Sequence, residues 1–172
     1  FTTDETGTVT TPQLTLYGIY TLRELQAPAG YLAEAEEISF SVTGSQAETA
    51  EDGLPVILVR VENTPIQVEI AKTDLTDGKP VPGAHLQIRD ASGQVLYQWV
   101  TGEEPYRISA IPAGEYMLEE TLPPREDGYV QSEAVPFTVE ETGEIQRVTM
   151  TNDHTRVQVC KTDAETGEPL AG

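Results

Sequence analysis

Two residue types able to exchange a nitrogen are scarce in this chain. Its only lysines stand at 72, 79 and 161, and its only asparagines at 63 and 152. Lys72 and Lys161 each open a Lys-Thr-Asp triplet, while Asn63 and Asn152 each close a run of alternating apolar residues. Glu24 and Glu120 close similar runs, Tyr20-Thr21-Leu22-Arg23-Glu24 and Tyr116-Met117-Leu118-Glu119-Glu120. A charge taken out of water costs several kcal/mol unless it is paired. Burial moves a lysine toward the neutral amine and a carboxyl toward the neutral acid, by as much as about 3–5 pKa units. A lysine and a glutamate in one dry site can therefore trade a proton, leaving an amine with a free lone pair beside a carboxylic acid. Next to a carboxamide, that is the reactant set for exchange of ammonia for a new amide. The plainer alternative is a solvated strand-end ion pair with the asparagine as a turn cap.

The elements that must hold these groups read as strands. Alternation puts Val68, Ile70 and Lys72 on one face, Tyr116, Leu118 and Glu120 on another, and Val148, Met150 and Asn152 on a third, so each apolar face ends in a polar residue. Tyr20, Leu22 and Glu24 repeat the pattern, as do Val59, Val61 and Asn63. Short alternating runs predict antiparallel strands over 67–72, 84–89, 95–100, 106–108, 115–120, 135–139 and 146–152. Thr-Asp-Gly at 76–78, Ala-Ser-Gly at 91–93 and Glu-Thr-Gly at 141–143 supply turns. No helical period persists. Seven strands in about 90 residues predict an all-β, immunoglobulin-like β-sandwich.

The sequence repeats itself. Lys72 and Lys161 lie 89 residues apart, as do Asn63 and Asn152, while Glu24 and Glu120 lie 96 apart, the difference falling in loops. A period near 90 residues indicates tandem small domains rather than a solenoid, whose repeats run about 20 to 50 residues. The expected organisation is the later part of a first domain at 1–66, a complete domain at 67–155 and the opening strand of a third at 156–172. With Phe1 followed by no leader-like segment, the sequence is expected to be a piece of a longer chain.

Composition narrows the function. Ten Lys+Arg against 29 Asp+Glu give a net charge of −19, which excludes a nucleic-acid binder working by phosphate neutralisation. No apolar run of about 18 residues exists to form a spanning helix. The single cysteine, Cys160, rules out an intrachain disulfide and reads as a tolerated small residue. Trp99 reads as sheet packing rather than a glycan platform. His85 and His154 match no zinc spacing, the acidic turns lack a calcium-loop pattern, and no nucleophile elbow or phosphate loop is present, so no metal or cofactor is expected.

Lys-Thr-Asp on the first strand, Tyr-x-Leu-x-Glu followed by Ala-Pro-x-Gly-Tyr, and an asparagine on the last strand resemble the Cna B-type (prealbumin-like, SpaA-like) domains of Gram-positive pilins and surface adhesins. The resemblance covers nearly the whole chain. It implies a spontaneous isopeptide bond with Lys72 as nucleophile, Asn152 as acceptor and Glu120 as the catalytic acid, polarising the asparagine carbonyl. Glu24 and Asn63 hold the matching places in the first repeat, without a lysine, and Lys161 is the lysine of the third. The departure is Leu-Pro-Pro-Arg-Glu-Asp-Gly-Tyr at 122–129, in the loop after the glutamate. The implied role is a stalk or shaft segment at the bacterial cell surface, outside the cell, with neighbouring domains of the same chain as partners. Any host ligand and the wall anchor would lie in sequence beyond this one. The alternative is a module that itself grips a host protein or glycan. The only catalysis expected is single-turnover self-modification. Joining Lys72 to Asn152 would close a loop of 80 residues, for which crosslink entropy gives about 4.5 kcal/mol.

Overall fold

A computed structural model describes residues 1–12, 14–15, 17–33, 36–43, 48–49, 55–124 and 128–171. Among these residues there is no helix, and so none long and apolar enough to cross a membrane. The first repeat contributes six short strands: β1 (Ile19–Leu22), β2 (Tyr31–Leu32), β3 (Ile38–Ser41), β4 (Glu48–Thr49), β5 (Pro55–Val56) and β6 (Thr64–Pro65). They pair antiparallel as β1–β3, β2–β6 and β4–β5.

Seven longer strands follow. They are β7 (Gln67–Asp74), β8 (His85–Asp90), β9 (Val95–Val100), β10 (Tyr106–Ser109), β11 (Gly114–Leu122), β12 (Val135–Val139) and β13 (Gln146–Asn152). Every strand predicted for 67–155 is present, with ends moved by at most two residues. They form two sheets, ordered β10-β7-β13 and β12-β11-β8-β9. The core between the sheets takes Val68, Ile70, Ile108 and Met150 from one and Leu86, Ile88, Tyr116, Leu118 and Val139 from the other. This is a β-sandwich, as the alternation predicts, and Lys72, Glu120 and Asn152 share its inner faces, 5%, 3% and 1% exposed.

One pairing departs from the antiparallel expectation. β13 runs parallel to β7, with Lys72 opposite Met150 and Asn152 opposite Asp74. A tight hairpin would force neighbours to alternate in direction, but β13 reaches β7 from β12 in the opposite sheet, so its direction is free. Lys72 and Asn152 are thus diagonal neighbours on one face, two residues apart along adjacent strands, within the reach of long side chains.

The repeats copy one another locally. Tyr20 faces Phe40 across β1–β3, rings 5.8 Å apart, just as Tyr116 faces Phe137 across β11–β12 at 5.5 Å. The Lys-Thr-Asp turn also recurs. Asp74 N–H donates to Lys79 O and Gly78 N–H to Asp74 O; Asp163 N–H donates to Glu168 O and Gly167 N–H to Asp163 O. Gly78 and Gly167 hold φ of 71° and 72°, a left-handed conformation in which glycine has no Cβ penalty. The first repeat's apolar face is the less well covered: Leu22 and Val61 are each 37% exposed, where their counterparts Leu118 and Met150 are buried.

The segment joining the repeats is fixed on both sides. Ile66 is 2% exposed; its N–H donates to Gly30 O at 2.8 Å and its carbonyl accepts from Ile111 N–H at 3.3 Å. Gly30 has φ +87°, and a Cβ there would lie 2.1 Å from the carbonyl oxygen of Ala110, itself in a left-handed conformation at φ 60°. Only glycine lets these backbones approach so closely. Gly30→Ala should therefore lower stability by at least ~1 kcal/mol and loosen the joint. Thermal melting and small-angle scattering check this, with a broader distribution of molecular dimensions expected for the variant.

Candidate functional site: a buried amine, acid and amide

Lys72 reaches the site from β7, Glu120 from β11 and Asn152 from β13. Glu120 stands where the β11–β8 register shifts, between Glu120 and Leu122, an irregularity of the kind that re-aims a side chain. The strand's period separates it sharply from its neighbour. Glu119 points outward, accepting from Gln87 Nε2 at 2.6 Å and Arg89 Nε at 2.9 Å, with a third of its side chain exposed. The Glu120 side chain is fully buried.

Lys72 Nζ lies 3.3 Å from Glu120 Oε1, and both side chains are essentially without solvent contact. Lys72 Nζ also donates to Ser132 Oγ at 2.6 Å. Burial pushes the Lys72 amine below the ordinary lysine value of 10.5, against the opposing pull of the neighbouring Glu120 carboxyl. The other carboxylate oxygen, Glu120 Oε2, accepts from Asn152 Nδ2 at 2.9 Å and from Ser132 N–H at 2.6 Å. Asn152 Nδ2 donates a second bond to Val130 O at 2.6 Å. Glu120 Oε1 and Asn152 Oδ1 are buried and make no hydrogen bond among the described residues.

This geometry revises one expectation. Glu120 contacts the amide nitrogen of Asn152, not its carbonyl. The reason is that Asn152 faces two acceptors, a carboxylate and a backbone carbonyl, and only its NH2 can serve both. The acid is thus placed at the nitrogen that would leave.

The first repeat assembles the same pair. Asn63 Nδ2 donates to Glu24 Oε2 at 2.6 Å and to Leu32 O at 3.0 Å, matching Asn152 with Glu120 and Val130. Both residues are half-buried, and no lysine of the chain reaches them among the described contacts. Lys161 is exposed, as is the free thiol of Cys160. Trp99 stacks on Tyr106 with centroids 4.4 Å apart, as the packing reading predicts. Of the loop that departs from the Ala-Pro-x-Gly-Tyr pattern, residues 125–127 lie outside those described.

Sequence reasoning missed a polar cluster at the end of the site. Asp74, 6% exposed, accepts from Thr76 and Asp77 N–H through Oδ1 and from Tyr129 OH at 3.0 Å through Oδ2. His154 Nε2 lies 2.8 Å from the same Oδ2, and its ring stacks on Tyr129 at 4.2 Å. The Thr76 N–H bond first, then Tyr129, Asp77 and His154, hold the Asp74 carboxyl down at about 2. The aspartate had a signal, since it closes both Lys-Thr-Asp triplets. Ser132 had none, because the matching place in the first repeat is Glu34.

Residues 1–53 and 66–154 match the family model described as SpaA, prealbumin-like fold domain. The chain belongs to this family. Among solved structures it is similar to the Bacillus anthracis TIE protein, with 27% identity over 90% of this chain and 32% of that one, at a TM-score of 0.53. It also resembles a double mutant of the shaft pilin SpaA from Lactobacillus rhamnosus GG, with 16% identity over 82% of this chain and 66% of that one, at a TM-score of 0.51; this second likeness is one of fold. The SpaA-family chain spans about a third of the first protein and just under two thirds of the second. Comparison with curated proteins yields no match.

A carboxyl held at about 2 in the folded state, against 3.8 ordinarily, adds stability that is complete above the ordinary value and lost as pH falls toward about 2. Asp74→Asn should lower the melting temperature at pH 7 and flatten its decline between those two values. Melting curves recorded across that range check both.

Proposed function

We propose that residues 67–155 form a self-crosslinking structural domain of an extracellular pilin or adhesin of a Gram-positive bacterium, with Lys72 and Asn152 joined through their side chains. The observation that carries this reading is the meeting of Lys72, Glu120 and Asn152 in one buried pocket. Desolvation lowers the amine's hold on its proton, and Glu120 Oε1 is there to receive it. The neutral Lys72 Nζ then attacks Asn152 Cγ; the acid gives its proton to Nδ2, which departs as ammonia, and takes a second proton from Nζ, leaving a neutral secondary amide. One proton passes from Nζ to Nδ2, and Glu120 ends as it began the attack. Orientation alone can supply effective molarities of roughly 10⁵–10⁸ M, enough for a single slow turnover without a cofactor. Residues 1–66 and 156–172 are read as parts of the flanking domains, with Glu24, Asn63 and Lys161 in the corresponding roles.

The function that follows is mechanical. A bond between the first and last strands of the domain carries tension past the sheet hydrogen bonds, and no reductant opens it. Family membership and the likeness to a shaft pilin support a stalk role.

Intact mass spectrometry tests the reading directly. The purified chain should weigh one ammonia less than its sequence, and Lys72→Ala or Glu120→Ala should restore the full mass. Lys72→Ala also strands the buried Glu120 charge, so it should cost at least ~3 kcal/mol of stability by denaturant unfolding. A full-mass, properly folded wild-type chain would refute the crosslink.

A further inference from the structure

We infer that Ser132 is a positioning residue for the amide exchange: its hydroxyl fixes the Lys72 amine while its backbone N–H assigns different tasks to the two oxygens of Glu120. This rests on the self-crosslinking reading above. Three contacts of one residue converge on the reacting groups. Ser132 Oγ accepts from Lys72 Nζ at 2.6 Å, and its own proton is donated to Thr151 O at 2.6 Å, next to Asn152 in the chain. Ser132 N–H donates to Glu120 Oε2 at 2.6 Å.

Each contact has a chemical consequence. A hydroxyl carries one proton, and here it is committed to Thr151 O. Ser132 therefore can only accept from the amine and cannot cover its lone pair by donating to it. With one N–H held by Oγ, rotation about the Cε–Nζ bond of Lys72 is restricted, which confines the direction of attack. On the acid, Oε2 already accepts two N–H bonds, from Ser132 and Asn152, whereas Oε1 accepts none and faces Nζ at 3.3 Å. The proton leaving Nζ consequently goes to Oε1. Oε2 holds the amide nitrogen in place while this happens; as the Cγ–Nδ2 bond breaks the carboxyl turns to give its proton to Nδ2 and takes the second proton of Nζ, so that ammonia leaves and a neutral amide remains.

The test follows ammonia loss over time by intact mass in chains made by cell-free synthesis. Ser132→Thr keeps the hydroxyl; Ser132→Val has nearly the same shape without it; Ser132→Ala removes it with the least bulk. All three retain the backbone N–H. The wild type and Ser132→Thr should react at similar rates, and Ser132→Val and Ser132→Ala roughly ten- to a hundredfold more slowly. The same replacements in a Lys72→Ala background, where no bond can form, report what loss of the Thr151 O contact alone costs the fold, which separates positioning from packing. If both hydroxyl-free variants lose ammonia as fast as the wild type, or if Ser132→Thr is as slow as they are, the role of Ser132 is overturned while the crosslink stands. If the folded wild type loses no ammonia, the crosslink itself fails. Should Ser132→Val not fold, Ser132→Ala carries the comparison.

Discussion

The side chains of Lys72 and Glu120 face each other where water does not reach, essentially without solvent contact. Such a pair is a poor device for stability alone, since desolvating two ions offsets most of what their attraction returns. Its presence at the end of an otherwise apolar face constrains everything around it. The remaining carboxylate lone pairs need donors, which Ser132 N–H and Asn152 Nδ2 provide. Beyond the pair, Asp74 lies opposite Asn152 across β7–β13 and meets Tyr129 and His154 with its own hydrogen bonds.

The first repeat separates what the lysine contributes from what the scaffold contributes. Glu24, Asn63 and Leu32 O adopt the arrangement of Glu120, Asn152 and Val130 O, and no lysine contacts the pair among the described residues. The acid–amide contact is therefore set by the end of the Tyr-x-Leu-x-Glu run and the asparagine-bearing segment, with a carbonyl after Gly-Tyr as second acceptor, and does not depend on the amine. In both places the amide turns its nitrogen toward two acceptors for the same electrostatic reason. Leu22 and Val61 stay more exposed than their counterparts Leu118 and Met150, so the acid–amide contact forms beside a less well covered apolar face.

Much of this was legible in the residues. Strict alternation in β7, β11 and β13 placed Lys72, Glu120 and Asn152 on inner faces, because a period of two leaves little freedom once one face is apolar. The repeat supplied the second acid–amide pair, and the recurrent Lys-Thr-Asp triplet supplied a turn that forms twice with the same hydrogen bonds. What alternation cannot give is strand direction. β13 is parallel to β7 because of how the chain crosses between sheets, and crossings leave no local pattern. Ser132 and the orientation of the Asn152 amide were equally hidden, since both are fixed by three-dimensional neighbours far away in the sequence. His154 was considered only as a metal ligand, and its partner proved to be Asp74, eighty residues earlier.

The parallel seating of β13 against β7 has a consequence in time. A chain growing or emerging from its N-terminus exposes Lys72 early, and Asn152 appears only after the intervening 79 residues have passed. Until that final ribbon slides into register, the amine has no amide to meet, and a slip by one residue would turn Asn152 to the opposite side of the sheet. Chemistry at this position would accordingly act as an inspection step, sealing copies whose last segment has arrived correctly and leaving incomplete ones pliable enough to thread, refold or be degraded.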